Sequence, residues 1–503
     1  METFSLLANG FAAALSPQNL LFAFFGSVLG TLVGVLPGIG PTSGIAILLP
    51  LTAFLPPTPA IIMLAAIYYG AMYGGSTTAI LVNIPGEVAS VVTCIDGYQM
   101  ARKGRAGQAL AIAAISSFFA GTLSLVGLTF FAPPLADIAL AIGPPEYTGL
   151  VILALAVVVS LSGRSLRKGL ASALLGALIA MVGLDPQSGR QRFTFGVPQL
   201  IGGIDFISVI IGLYAIAEVL VSIEKAIASV STIPITRLFP SLADLKACMG
   251  TMVRCTLVGF GLGVLPGCTP GAISFLSYDL ERRVSRAGPQ FGTGAIQGVA
   301  APEGANNAAT SGGFVPLLAL GIPPTPALAV LLGGLMIYGL QPGPLLFEKQ
   351  PEFVWTVIAS MYVGNVMLLI LNLPLVGIWA RLVMVPYPVL GPLILIFSVL
   401  GAFSVRNSTF DVWVALAFGL LGYAMRKLDF SETPLVLTLI LTPILESSLR
   451  QSLSMSAGDV RIFLERPVAL GLAALGVVLA AATLYARRRA GAGATGAPRQ
   501  EGS

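Results

Sequence analysis

The sequence contains no histidine, only four cysteines and few charges, with 10% of its 503 residues Asp, Glu, Lys or Arg. Without histidine, the usual zinc, haem and acid–base catalytic sets cannot be assembled. Cys94, Cys248, Cys255 and Cys268 form no Cys-x-x-Cys pair, and the spacing of Cys248 and Cys255 predicts ordinary packing on one helix face. No Gly-Lys-Ser/Thr loop is present to cradle a nucleotide phosphate. No catalytic residue, no cofactor and no metal other than Na⁺ is expected. No Lys or Arg precedes Arg102 and no cleavage site is evident, so the first residues do not read as a standard signal peptide. The net charge of +5 comes from basic residues in short loops, without an aromatic-basic stripe, which argues against nucleic acid as a partner. A soluble domain carries about 25% charged residues. A chain this long and this poor in charge cannot cover its surface in water.

What the sequence has is apolar length: 56% of its residues are hydrophobic. Runs near the roughly 20 residues needed to cross hydrocarbon recur. They are Leu20–Val35, Ala109–Phe131, Gly149–Leu161, Gly169–Val182, Phe206–Val221, Phe353–Trp379, Pro392–Phe403, Val412–Met425, Pro434–Leu445 and Pro467–Tyr485. Lipid offers no partner for a free backbone N–H or C=O, so these runs predict helices. The fold class expected is an all-α polytopic membrane protein. Arg487, Arg488, Arg489 and Arg499 near the C-terminus place that end in the cytoplasm. The N-terminus is expected outside, in the periplasm of a bacterial inner-membrane protein, with an odd number of crossings.

The chain also repeats itself. Gly34-Val35-Leu36-Pro37-Gly38 with Pro41 recurs as Gly263-Val264-Leu265-Pro266-Gly267 with Pro270, with Gly30 and Gly259 upstream. Gly74-Gly75 with Ile84-Pro85 recurs as Gly312-Gly313 with Ile322-Pro323. The expected layout is an N-terminal segment (1–16), repeat one (17–225), a connector (226–249), repeat two (250–455), one extra C-terminal helix (456–490) and a disordered cytoplasmic tail (491–503). Basic loops fall at non-equivalent places: Arg102, Lys103 and Arg105 in the first copy, and Arg282, Arg283 and Arg286 in the second. That favours copies of opposite orientation, with sites near mid-membrane where they meet, over a parallel duplication, which the basic Arg190/Arg192 and Arg426/Lys427 loops leave as the alternative.

Two kinds of segment are expected to interrupt the helices. In each Leu-Pro-Gly element proline removes a donor and glycine accepts positive φ, which marks Gly38 and Gly40 in one copy and Gly267 and Thr269 in the other. A plain proline kink is the alternative, and the recurrence favours a site-forming break. The second kind is a pair of polar runs, Tyr68–Thr78 followed by Asn83-Ile84-Pro85-Gly86-Glu87, and Pro302–Gly313 followed by Gly321-Ile322-Pro323. Helix N-termini and exposed N–H groups there suit a carboxylate. Ser76, Thr77, Thr78, Asn83, Pro85, Asn306, Asn307, Thr310 and Pro323 are the remaining substrate candidates. Gly74, Gly75, Ser76, Glu303, Asn306 and Ser311 are cation candidates, since hard cations take oxygen ligands. Close helix packing would explain Gly74 and Gly75 alone. It explains Asn306, Asn307 and Glu303 poorly, because buried polar groups are costly without partners. Glu87, Asp96 and Glu218 are further acids near apolar segments. Glu87 and Asp96 could equally sit in a loop beside Arg102 and Arg105.

Five blocks in order, Gly34–Pro41, Tyr69–Glu87, Asp96-Gly97-Tyr98 with Gly104-Arg105-Ala106-Gly107, Gly298–Asn307 and Gly321–Pro323, resemble the TctA-type large membrane subunit of the tripartite tricarboxylate transporters. The resemblance runs to about residue 455. Only Cys268-Thr269 departs from it, being less glycine-rich than the first copy. It implies a translocation subunit working with a small TctB-like membrane subunit and a periplasmic TctC-like solute-binding protein. It further implies alternating access that imports a small carboxylate such as a tricarboxylate, driven by a cation gradient of Na⁺ or H⁺. The alternatives are a passive anion channel, a transporter of another small organic solute, a membrane-embedded enzyme and a structural scaffold. The missing histidine weighs against the enzyme, and deep polar runs weigh against the scaffold.

Overall fold

The computed structural model describes residues 2–36, 38–52, 54–161, 165–185, 187–224, 233–235, 237–382 and 387–494. The chain opens with α1 (Glu2–Ala14) and α2 (Pro17–Val35), then α3 (Gly40–Thr52), α4 (Pro57–Val82), α5 (Val91–Met100) and α6 (Ala106–Ala141). α7 (Pro144–Leu161) and α8 (Leu166–Ala180) lead into a two-residue antiparallel ladder, β1 (Gly183–Leu184) with β2 (Gln191–Arg192). α9 (Phe206–Ile210) and α10 (Ala217–Glu224) flank a π-helical segment, Ile211–Ile216. Next come α11 (Leu242–Gly263), α12 (Pro270–Val284), α13 (Gln297–Leu320), α14 (Pro326–Ile337), α15 (Pro344–Lys349), α16 (Pro351–Asn372) and α17 (Val376–Leu382). α18 (Tyr387–Arg406), α19 (Thr409–Lys427), α20 (Glu432–Met455), α21 (Ile462–Glu465) and α22 (Pro467–Ala494) close the chain. Proline opens many of these helices, where its missing N–H costs nothing and its fixed φ is already helical. Among the described residues, seven helical stretches are long and apolar enough to cross a membrane.

The chain forms two compact units. One holds residues 1–140 and 204–424, the other 141–203 and 425–503. In the first unit, α2 lies parallel against α4, with Gly26, Gly30 and Gly34 pressed on Met63, Ile67 and Ala71. α11 meets α13 in the same way, Gly259 on Ala305 and Gly263 on Ala309. Small residues let the backbones approach, as membrane helix pairs require. α4 and α13 are themselves antiparallel neighbours: Ser76 meets Glu303 at one end of the contact, and Tyr68 meets Phe314 at the other.

The expected Leu-Pro-Gly interruptions are present. α2 stops at Val35 and α3 starts at Gly40; α11 stops at Gly263 and α12 starts at Pro270. The polar runs depart from expectation. Tyr68–Thr78 and Pro302–Gly313 lie inside continuous, buried helices rather than in unwound segments. In a buried, low-dielectric setting the helix is the cheapest way to pair backbone groups, and glycines there serve close packing. The turns come later. α4 ends on Asn83 and α13 on Gly321, both left-handed, with φ of 58° and 71°. Each chain then doubles back, so that Gly86 lies on Gly75 and Pro324 on Gly313.

The loop of Arg102, Lys103 and Arg105 packs on the stretch after α12, where Lys103 donates to Thr293 O. Met100 and Ala101 share an apolar cluster with Cys248 and Ile296, and Arg105 pairs with Asp244 at 3.2 Å. In the second unit, Arg450 joins Glu446 and Asp185, and Arg192 joins the same Glu446. α22 extends to Ala494, past the expected start of a disordered tail, and residues 495–503 lie outside the described residues. The expected connector is shorter at its far end, because α11 already begins at Leu242 under a Ser241 capping box.

Candidate functional site

Glu303 stands at the centre of the first unit with no solvent exposure. Its helix carries Pro302, which removes one backbone donor, and hydroxyls from neighbouring helices gather at the carbonyls around it. Ser116 donates to Ala300 O (2.6 Å), Ser277 to Ala301 O (3.2 Å) and Ser274 to Pro302 O (3.2 Å). The Glu303 carboxylate accepts from Ser76 Oγ at 2.5 Å and from Thr93 Oγ1. No Lys or Arg bonds to it among the described residues. A buried acid held only by neutral donors is a group whose charge a passing ion can answer.

Around it, Asn307 Nδ2 donates to Ser117 Oγ at 2.8 Å, to Asn306 Oδ1 at 2.6 Å and to Glu303 O at 3.1 Å. Asn306 Nδ2 is buried with no acceptor in hydrogen-bond geometry. Glu87 is also buried. Its Oε2 caps the short helix Val88–Ser90 through Ala89 N–H at 2.5 Å, and its Oε1 has no partner.

The remaining candidates fall into three groups. Gly74, Gly75, Ser76, Thr77 and Thr78 line the buried length of α4; Asn306, Asn307, Thr310 and Ser311 line α13 beside Glu303. Thr310 and Ser311 bond back to Asn306 O and Asn307 O, and Thr78 to Gly75 O, which ties up their protons locally. Gly38, Gly40, Gly267 and Thr269 sit at the two breaks. Gly38 and Gly267 have φ of 92° and 83°, and Thr269 caps α12. A Cβ on Gly38 would lie 2.5 Å from Glu218 Oε1, so that acid guards the first break. Gly267 N–H donates to Pro324 O at 2.9 Å, tying the second break to the loop holding Pro323. Asn83 and Pro85 belong to the turn after α4, and Asn83 serves as its cap.

The breaks also bring half-helix starts together. Gly271, in the first turn of α12, lies against Val88 at the head of the α5 hairpin. Tyr68 OH of α4 reaches Thr325, the cap of α14, at 3.4 Å. The starts of membrane half-helices carry unpaired N–H groups and positive partial charge, the physical requirement for holding a carboxylate.

Sequence reasoning missed Thr93, Ser117, Asn365 and Asn372 as site residues, single polar residues in apolar runs, and passed over Tyr73 within the polar run Tyr68–Thr78. Asp96, left open between an intramembrane acid and a loop residue beside Arg102 and Arg105, has a structural role away from the loop. Asp96 is fully buried on α5 and accepts from the N–H groups of Gly292, Gly294 and Ala295 and from Tyr278 OH. Gly298 leaves it room, since a Cβ there would collide with the carboxylate.

Between α4, α6 and α16 is a small polar cavity of about 10 Å³ for the centre of a water-sized particle. It is too small for a tricarboxylate.

A helical, multi-pass membrane protein with buried acids and interrupted helices at its centre is the class this fold and site define. The chain belongs to the tripartite tricarboxylate transporter TctA family, whose profile matches residues 20–437. It is 46% identical over 478 residues, 95% of each chain, to an Agrobacterium vitis protein named "Uncharacterized 52.8 kDa protein in TAR-I ttuC' 3'region". It is also 44% identical over 217 residues to "Uncharacterized protein in TAR-II ttuC' 3'region" of the same organism, covering 43% of this chain and 90% of that one. No solved structure matches. The family is one of transporters, and the chain is a transporter membrane subunit.

Proposed function

We propose that this chain is the translocation subunit of a binding-protein-dependent secondary transporter. It imports a small carboxylate, a tricarboxylate in the first instance, against its gradient at the expense of a cation gradient, with Na⁺ as the ion. A periplasmic solute-binding protein delivers the substrate and a small membrane subunit completes the complex; the word tripartite in the family's name supports three components. The membrane is the bacterial inner membrane. The face carrying Arg102, Lys103 and Arg105 is cytoplasmic by the excess of basic residues, with the N-terminus on the periplasmic side.

The observation that carries this reading is the antiparallel pairing of α4 and α13, locked through Ser76 and Glu303. The two helices occupy corresponding places in the duplicated sequence. Each is packed by a corresponding glycine pair and followed by a corresponding fold-back loop. Two copies of inverted topology meeting at mid-membrane give a carrier two alternative ways to open. Glu303, Ser76 and Asn306 serve the cation, and the starts of α3, α5, α12 and α14 serve the anion. Neutralising the anion lowers the cost of moving charge through hydrocarbon.

The test is counterflow of labelled carboxylates in proteoliposomes holding this chain with its two partners, with and without a Na⁺ gradient. Concentrative, Na⁺-dependent uptake is expected, and Asn306→Ala and Thr77→Ala abolish it while protein abundance stays normal. Uptake that only equilibrates the solute would make the chain a channel.

A further inference from the structure

The cavity between α4, α6 and α16 has an unusual donor balance. Its polar lining comes from Tyr73, Ser76 and Thr77 of α4, Ser117 of α6 and Asn372 of α16. Asn372 Nδ2 donates to Leu368 O at 3.0 Å and to Thr31 Oγ1 at 3.3 Å. Leu368 O can only accept, and the Thr31 proton is spent on Ser27 O at 2.8 Å. The amide orientation is therefore fixed by its partners. Asn372 Oδ1 is left without a donor, in a residue only 4% exposed.

The other protons around the cavity also point elsewhere. Tyr73 gives its proton to Asn365 Oδ1 at 2.6 Å, an oxygen by assignment because Asn365 Nδ2 serves Phe118 O and Thr122 Oγ1. Ser76 gives its proton to Glu303 Oε2. Ser117 accepts from Asn307 Nδ2 and directs its own proton at Glu303 O, 3.4 Å away. The Thr77 hydroxyl is free to turn a lone pair inward. A water bound here could accept only from the Thr77 hydroxyl, while Asn372 Oδ1 and the neighbouring oxygens all ask for donors. A cation needs oxygens alone.

We infer that this cavity is a binding site for one dehydrated monovalent alkali cation, with Asn372 Oδ1 as a ligand and the hydroxyls of Ser76 and Thr77 beside it. The charge is +1 rather than +2 because no carboxylate lines the cavity, whereas divalent sites are built on carboxylates. The nearest acid, Glu303, lies one hydroxyl away through Ser76 and offsets the ion's charge across that hydrogen bond. Because Ser76 serves both groups, filling the cavity is felt at the centre of the α4–α13 contact. The purpose of the site rests on the coupled-transport reading; its existence rests on binding alone.

The test is equilibrium binding of radioactive sodium, and of rubidium as a larger probe, to the purified full chain in detergent. Competition with unlabelled Li⁺, Na⁺, K⁺ and choline identifies the preferred ion. Saturable binding is expected, displaced by an alkali cation and not by choline. Asn372→Leu and Thr77→Val each weaken it at least tenfold, and Thr77→Ser restores it. Thr77→Val is close to isosteric, so it carries the test if Asn372→Leu fails to fold. Absence of saturable binding to the wild-type chain would mean that the cavity holds water, and would overturn the site. So would unchanged affinity in both variants. Na⁺-driven uptake measured on the same variants separates the two ideas. Uptake that stays Na⁺-driven without this binding removes the site and keeps the coupling; binding with gradient-independent uptake does the reverse.

Discussion

Two glycines on α11, two residues apart, should respond oppositely to the same added methyl group. At Gly263 a Cβ would lie 2.5 Å from Ala309 O and 2.6 Å from Ala309 Cα, whereas ordinary contact begins at 3.4 Å. Both obstacles are backbone, so no side chain can swing away, and α11 and α13 must part by about 1 Å to admit the methyl. Overpacking of this kind costs about 1–3 kcal/mol. At Gly261 nothing lies within 4 Å of the added atom. There the methyl only reduces the conformational freedom lost on folding, a gain of about 0.5–1 kcal/mol. A cysteine-reactive dye reads the difference as the rise above the signal of the half-buried Cys94 and Cys268, because Cys248 and Cys255 are buried on the same helix and become reactive on unfolding. Gly263→Ala is expected to lower the melting temperature in detergent and to slow uptake in proteoliposomes, while Gly261→Ala raises the melting temperature or leaves it in place. Equal behaviour of the two variants would refute the close-packed α11–α13 seam.

Ser76→Ala and Thr93→Val each remove one hydroxyl from the Glu303 carboxylate, a loss of about 1.5–3 kcal/mol per charge-assisted bond; transport should fall steeply while abundance, read by immunoblot, stays normal. Asp96→Ala removes the acceptor shared by three backbone N–H groups and should cost about 1–3 kcal/mol for each donor left unpaired, seen as a lower melting temperature. Asp185, in the loop after α8, is held below the usual aspartate range by the Gln187 N–H, with Ser188 and Arg450 adding to it against the cost of burial. A depressed folded-state value stabilises above the unfolded one and is lost as pH falls through the folded one. The difference in melting temperature between wild type and Asp185→Asn should therefore hold steady from about pH 8 to about pH 5 and shrink only below about pH 4.

Legibility followed the range of the physics. The Leu-Pro-Gly breaks could be read because proline and glycine act on their own backbone, and α2, α3, α11 and α12 begin and end where those residues dictate. Glu303 could be read because an acid in an apolar run is costly wherever it lies. The polar runs misled, because Gly-Gly-Ser-Thr-Thr looks like a turn in water and packs as a helix in a bundle. That is also why α4, the most thoroughly buried of the long helices, was absent from the apolar runs. Thr93 and Asn372 could not be found at all. Their meaning lies in partners such as Glu303 and Thr31, hundreds of residues away, and no local pattern records such a pairing.

The cage around Asp96 limits which parts of this protein can move. The carboxylate fills a nest of backbone N–H groups that could otherwise have captured a passing anion, so that nest is closed to cargo. It also ties α5 to the stretch leading into α13 through the N–H groups of Gly292, Gly294 and Ala295. Parting these two pieces would break all three of those bonds at once.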